Sequence, residues 1–148
     1  MNVTYNTAVA GDGTAIASIL SGWIDEVRWM PRVHTRAQDR AFGHWLIEVS
    51  DVSVARSGGA VVGFLSRQGR DIQALYLAPP ARGHGVGRRL LQRAKAQCDS
   101  LGLWTFQANL QARRFYAQNG FVEDQMTDGR GNDQGLADVH MSWVRSGE

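Results

Sequence analysis

The run from Leu75 to Arg88, Leu-Tyr-Leu-Ala-Pro-Pro-Ala-Arg-Gly-His-Gly-Val-Gly-Arg, has the residue types and order to hold an anion. An apolar, strand-like segment meets Pro79 and Pro80, then a glycine-rich turn, then Arg88-Arg89-Leu90-Leu91, where a helical pattern begins. Such a turn leaves backbone N–H groups without partners at a helix N-terminus, and those groups together with the helix dipole favour phosphate. Gly83, Gly85 and Gly87 permit positive φ and let an anion come close to the backbone, while Arg82 and Arg88 add charge beside it. Two commoner phosphate loops are excluded by spacing. No Gly-Lys-Ser/Thr follows, so this is not a Walker loop. The glycines run Gly83-x-Gly85-x-Gly87 with Arg88 next, which does not meet the dinucleotide pattern G-x-G-x-x-G. The stretch is also compatible with a strand-to-helix turn that binds nothing.

A second constellation follows at Asn109-Leu-Gln-Ala112-Arg-Arg-Phe115-Tyr116-Ala-Gln-Asn-Gly120-Phe121. Asn109 and Tyr116 are seven residues apart, which on a helix puts them on one face about 10 Å apart along the axis. A tyrosine hydroxyl, with an ordinary pKa near 10, holds its proton at neutral pH and can give it to a departing base. The plainer readings are a ring packed in the core for Tyr116 and a helix N-cap for Asn109.

The elements that would position these residues are legible from periodicity and punctuation. Residues 2–8 read as a short strand, and Ile16, Ile19, Leu20, Trp23 and Val27 follow helical spacing. Pro31 disfavours helical geometry at Met30, and Thr35-Arg-Ala-Gln38 reads as a capping box. The second helix is expected over about 36–47, burying Phe42, Trp45 and Leu46, with Trp23 also in the core. Three strands are expected around Val52 and Val54, from Ala60 to Ser66 and from Ile72 to Leu77, joined at Ser57-Gly58-Gly59 and Gly69-Arg70. The helix after the glycine loop would carry Val86, Leu90, Leu91, Ala94 and a buried, inert Cys98 on one face, with Gly102 ending it. Leu103 to Gln107 reads as a strand, a helix capped by Asn109 stops at Asn119-Gly120, and Phe121 to Met126 with Leu136 to Val144 form a last hairpin.

The first stretch, Arg82-Gly-His-Gly85-Val-Gly87, resembles the Arg/Gln-x-x-Gly-x-Gly/Ala signature of the GNAT N-acetyltransferase superfamily. The second matches that family's Asn-x-x-Ala-x-x-x-Tyr-x-x-x-Gly-Phe pattern at every fixed position, and the element order β-α-α-β-β-β-α-β-α-β-β is the order of its fold. The resemblance carries specific motifs over about residues 50–122 and only element pattern before that. It implies one α+β domain over residues 1–148, of the α/β/α type, with a mixed, mostly antiparallel sheet of six to seven strands and about four helices. It further implies acetyl-coenzyme A as cosubstrate. The positions it assigns to that ligand are the backbone of Leu75 and Leu77, the loop Arg82, Gly83, His84, Gly85, Val86, Gly87 and Arg88, and Asn109, Ala112 and Phe115. Tyr116 would face the sulfur as general acid while a neutral amine attacks the thioester in a ternary complex.

The base is less defined. Glu26, His34, His44, Glu48 and Asp71 are the titratable candidates, each read first as a solvated surface group. His34 leads, because it lies in the break between the first two helices, which lines the acceptor pocket in the family. Trp29 at that break could wall the acceptor cleft, and Asp128, Asp133 and Asp138 could attract a cationic amine. The acceptor is expected to be a small-molecule amine or a peptide N-terminus.

Composition narrows the alternatives. The formal net charge is only +2, without a basic tail, and the arginines at 82, 88, 89, 93, 113 and 114 lack interleaved aromatics. A local anion site fits this better than a nucleic-acid surface. Cys98 is the one cysteine, so no internal disulfide forms, and no signal peptide or membrane-length apolar run is present; the cytoplasm is expected. No Cys/His cluster has metal-ligand spacing. Many relatives of the fold dimerise, so the resemblance admits a homodimer, although no residue here specifies its interface. A coenzyme A-binding sensor without transfer activity is the alternative function, against which the retained Tyr116 argues.

Overall fold

The protein is described from a computed structural model over residues 2–146. Its elements are β1 (Thr4–Thr7), α1 (Gly13–Glu26), α2 (Arg36–Val49), β2 (Asp51–Ser57), β3 (Ala60–Gln68), β4 (Asp71–Leu77), α3 (Val86–Gln97), β5 (Ser100–Phe106), α4 (Leu110–Gln118), β6 (Val122–Met126) and β7 (Asp138–Val144). The strands make one sheet in the order β1-β2-β3-β4-β5-β7-β6, antiparallel except at β4–β5. The expected order, strand number and helix number are all observed.

Each face of the sheet has its own core. Ile16 of α1 and Leu46 of α2 pack on Val52, Val54, Phe64 and Ala74 on one side. On the other, Val86, Leu90, Leu91 and Ala94 of α3 and Tyr116 of α4 pack on Leu65, Leu101, Leu103 and Met141. Central β3 is buried continuously from Gly63 to Arg67, as a strand covered on both faces must be.

α2 faces the sheet differently from expectation. Thr35 and Gln38 form the capping box as read, through Gln38 N–H to Thr35 Oγ1 at 3.1 Å and Thr35 N–H to Gln38 Oε1 at 2.7 Å. Leu46 is buried, but Phe42 and Trp45 are 38% and 47% exposed and stack on one another at the surface. The cause is close helix packing. A Cβ on Gly43 would stand 2.5 Å from Gly13 O and 3.1 Å from Ala17 Cβ, so α2 approaches α1 through its small residues, leaving the bulky stripe outside. The same contact buries Asp39, which accepts from the Ser21 hydroxyl and from Arg32 Nη1 at 2.7 Å. Arg32 also binds Asp25 at 2.9 Å and thereby ties down the segment between α1 and α2. Asp39→Ala strands both donors, and we expect it to lower stability by about 2 kcal/mol, read from the urea midpoint.

Two further corrections concern the region after the glycine loop. α3 stops at Gln97, so Cys98 lies beyond the helix, half-buried, with Sγ 3.7 Å from Gly69 O. Gly102 does not end the helix; it is inside β5, where a Cβ would stand 2.9 Å from His140 Nε2 on neighbouring β7. Space for that ring, rather than chain reversal, requires glycine there.

Candidate functional site

The sheet opens between β4 and β5. Only Asp71↔Gly102 and Ile72↔Leu103 pair in the parallel ladder. Beyond them β4 follows β3 as far as Gly63↔Leu77, while β5 follows β7 along its whole length. Ala78 N–H bonds Val62 O at 2.8 Å, so by strand alternation the backbone groups of Leu75 and Leu77 face the opening. Pro79 and Pro80 then turn the chain into the glycine loop. Among the described residues, no helix is long and apolar enough to cross a membrane.

The opening is a cleft of about 700 Å³ with two walls. One is the wall read from the sequence: Leu75, Leu77, Arg82, Gly83, Gly85, Val86, Gly87, Arg88, Asn109, Ala112, Phe115 and Tyr116 all line it, and Gln111 joins them. Gly83 and Gly85 have φ of 79° and 77°, a region costly for side-chain-bearing residues. Gly85 is the N-cap of α3, and the amides of Val86, Gly87 and Arg88 in its first turn have no carbonyl partner within the helix. A Cβ at Gly83 or Gly85 would meet nothing within 4 Å, so the space over the loop is open. His84 is exposed in the loop and does not line the cleft.

α4 supplies the other two groups of this wall. Asn109 caps it as expected, Oδ1 accepting from Ala112 N–H at 3.1 Å, which leaves its Nδ2 hydrogens to offer a ligand. Tyr116 is buried, its ring edge-on to Phe115 and Phe121 at 5.2 and 5.5 Å. Lys95 fixes the end of this helix by donating to Asn119 O at 2.5 Å from above the Trp143 ring. Burial, and then the charge of Arg88, hold its ammonium below the usual lysine range.

The second wall is made by Trp23, Glu26 and Val27 of the α1 end and Tyr76 of β4; of these, Glu26 alone was among the candidate site residues read from the sequence. Trp23 is half-buried rather than core, its ring 5.0 Å from Tyr76 and 5.9 Å from Trp29, which meets Phe106 at 5.7 Å. Strand alternation carried the signal for Tyr76, because Leu75 and Leu77 face α3 and the residue between them must face α1. Glu26 was one of five candidate bases; the fold singles it out as the carboxylate lining the cleft.

The remaining candidates lie elsewhere. His34 is exposed, outside the lining, 3.9 Å from Asp133. The His44 ring covers Gly13 beside Thr14. Glu48 lines a shallow depression with Ser50 and Arg67, and Asp71 begins β4 at the closed end of the gap. Asp128 and Asp138 are engaged within their own loop, by Arg130 at 3.1 Å and by Thr127 and Asn132.

Half-buried Tyr76 and buried Tyr116 both line the cleft, and together they have a pH signature. Burial pushes Tyr76 up to about 12. Burial, and then its proximity to Tyr76, pushes Tyr116 further still. Both keep their protons in the folded state above pH 10, where the unfolded chain loses them. Stability is therefore unaffected by these groups below pH 10 and falls above it, by about 1.4 kcal/mol per pH unit for each. Tyr76→Phe should shallow that alkaline slope in urea titrations between pH 10 and 12.

The chain belongs to the GNAT acetyltransferases: the Acetyltransferase (GNAT) domain matches residues 48–123. Among curated proteins, the peptidyl-lysine N-acetyltransferase YiaC of Escherichia coli is 36% identical over 64 residues, 43% of this chain and 44% of that protein. The peptidyl-lysine N-acetyltransferase YjaB of the same organism is 38% identical over 60 residues, 40% and 41% of the two chains. The solution structure of apo YjaB superposes with a TM-score of 0.81 over 99% of this chain and 100% of that one, at 21% identity. A phosphinothricin acetyltransferase from Sinorhizobium meliloti, solved with acetyl-coenzyme A, gives 0.76 over 99% and 90%, at 20% identity. The chain spans about half the length of the curated relatives it matches.

Proposed function

We propose that the protein transfers an acetyl group from acetyl-coenzyme A to a primary amine. One observation carries this reading. A positive-φ glycine loop at a helix N-terminus, a free strand edge and a buried tyrosine converge on a single cleft. These residues fit the ligand part by part. The amides of the loop and of the first turn of α3, with Arg82 and Arg88, suit a pyrophosphate. The backbone groups of Leu75 and the Leu77 N–H suit the pantetheine amides, as an added strand would pair. The Asn109 amide can donate to the same arm, with Ala112 and Phe115 packing against it.

When bound, acetyl-coenzyme A supplies a thioester carbon. The nitrogen lone pair of a neutral amine bonds to that carbon in a ternary complex, the C–S bond breaks and its electron pair goes to sulfur. Tyr116 is the group proposed to give sulfur its proton, while the acylated nitrogen releases one proton to water and Tyr116 regains its own from water. The raised Tyr116 pKa supports this role in one respect: the hydroxyl is fully protonated at every ordinary pH. YiaC and YjaB are named for peptidyl-lysine, and we extend that acceptor class, an alkyl primary amine, to this chain. We further propose that the chain works as a single acetyltransferase domain in the cytoplasm.

Thermal melting with acetyl-coenzyme A, coenzyme A and NAD tests the reading, followed by thiol release over alkylamines and lysine peptides. A rise in Tm with the two coenzyme A ligands alone, and thiol release with an amine, is expected. No shift at saturating ligand would refute it, and a shift without thiol release from any amine would favour a sensor.

A further inference from the structure

A charge pair spans the cleft. Glu26 ends α1 beside Trp23 and Val27, and its Oε1 receives Arg82 Nη2 at 2.5 Å. The same guanidinium nitrogen donates to Leu77 O at 3.2 Å. The α1 wall, the start of the glycine loop and the free edge of β4 are thus bound to one another through Arg82. Neighbouring acids are engaged differently: Asp25 is held by Arg32 and Arg36 at 2.9 and 2.6 Å, and Asp39 by Arg32. Among the described residues, Glu26 is the carboxylate in the cleft lining, and its cationic partner is a phosphate-loop residue. A dianionic pyrophosphate on that loop would compete with Glu26 for the guanidinium and be repelled by it.

We propose that Glu26 and Arg82 form a latch: pyrophosphate draws Arg82 away, and the freed Glu26 carboxylate then receives the acceptor's ammonium against the Trp23 and Tyr76 rings. The latch rests on the coenzyme A reading above. It makes the two ligands cooperative, because the acceptor meets a free carboxylate only after the cofactor has bound. The aromatic faces add cation–π attraction for an alkylammonium ion.

Calorimetric titration of coenzyme A into the wild type and Glu26→Gln tests it. The substitution keeps side-chain size at a position 39% exposed, so folding is retained. Removing the competitor should tighten coenzyme A binding by about two- to five-fold, the scale of an exposed ion pair. Equal or weaker binding in the variant would overturn the latch alone, whereas no binding in either protein would sink the coenzyme A reading and the latch with it. As a second readout, n-butylamine followed by tryptophan fluorescence should bind the coenzyme A-loaded wild type more tightly than the unloaded one. That difference should vanish in Glu26→Gln, and equal binding to the two wild-type states would contradict the proposal.

Discussion

Gly85→Asp should abolish coenzyme A binding while leaving the fold intact. Gly85 has φ 77° at the N-cap of α3, and a Cβ there would meet nothing within 4 Å. Aspartate tolerates the left-handed region better than most residues, and its charge at a helix N-terminus suits the helix dipole. Its carboxylate would occupy the open space where the pyrophosphate is proposed to sit. We expect affinity to fall by about 100-fold or more, equivalent to ~2.8 kcal/mol, with Tm within a few degrees of the wild type. Gly85→Asn provides the control: same backbone demand, no charge, and a smaller loss by calorimetry. Unchanged affinity in Gly85→Asp would show that the loop is only a turn.

Tyr116→Phe should separate binding from turnover. The Tyr116 ring is packed by Phe115 and Phe121, and phenylalanine preserves that packing. Coenzyme A affinity should hardly change, while kcat falls by about 100-fold, the lower end for a lost general acid. The elevated Tyr116 pKa adds a second expectation. Burial, and then Tyr76, keep the hydroxyl protonated well past pH 10, so Tyr116 sets no limb of the pH–rate profile below that. The variant should lower the profile's height without changing its shape. A normal rate would remove Tyr116 from the acid role.

What the sequence made legible was local. The Thr35–Gln38 capping box, the turns at Gly58-Gly59 and Gly69, the Asn109 cap and the glycine loop each announce themselves within a few residues, and each is present. What it concealed depends on contacts between distant segments. Phe42 and Trp45 read as core because they are large and apolar, yet the α1–α2 contact is made by Gly43, Gly13 and Ala17. Those small residues at helical spacing were a usable signal for which face packs. Gly102 looked like a helix stop because its reason, the His140 ring, is on a strand far later in the chain. The same limit divided the cleft. Its motif-bearing wall lies in one continuous region of chain, from Leu75 to Tyr116, whereas Trp23, Glu26 and Val27 reach it only through the packing of α1 over β4.

The most direct test of the central claim is a backbone amide spectrum of the isotope-labelled protein titrated with coenzyme A. Binding in the cleft predicts the largest shifts at Gly83, Gly85, Val86, Gly87 and Arg88, with further changes at Leu75, Leu77 and the Asn109 side-chain amide. Shifts confined to surfaces away from the β4–β5 opening, or none at saturating ligand, would contradict it.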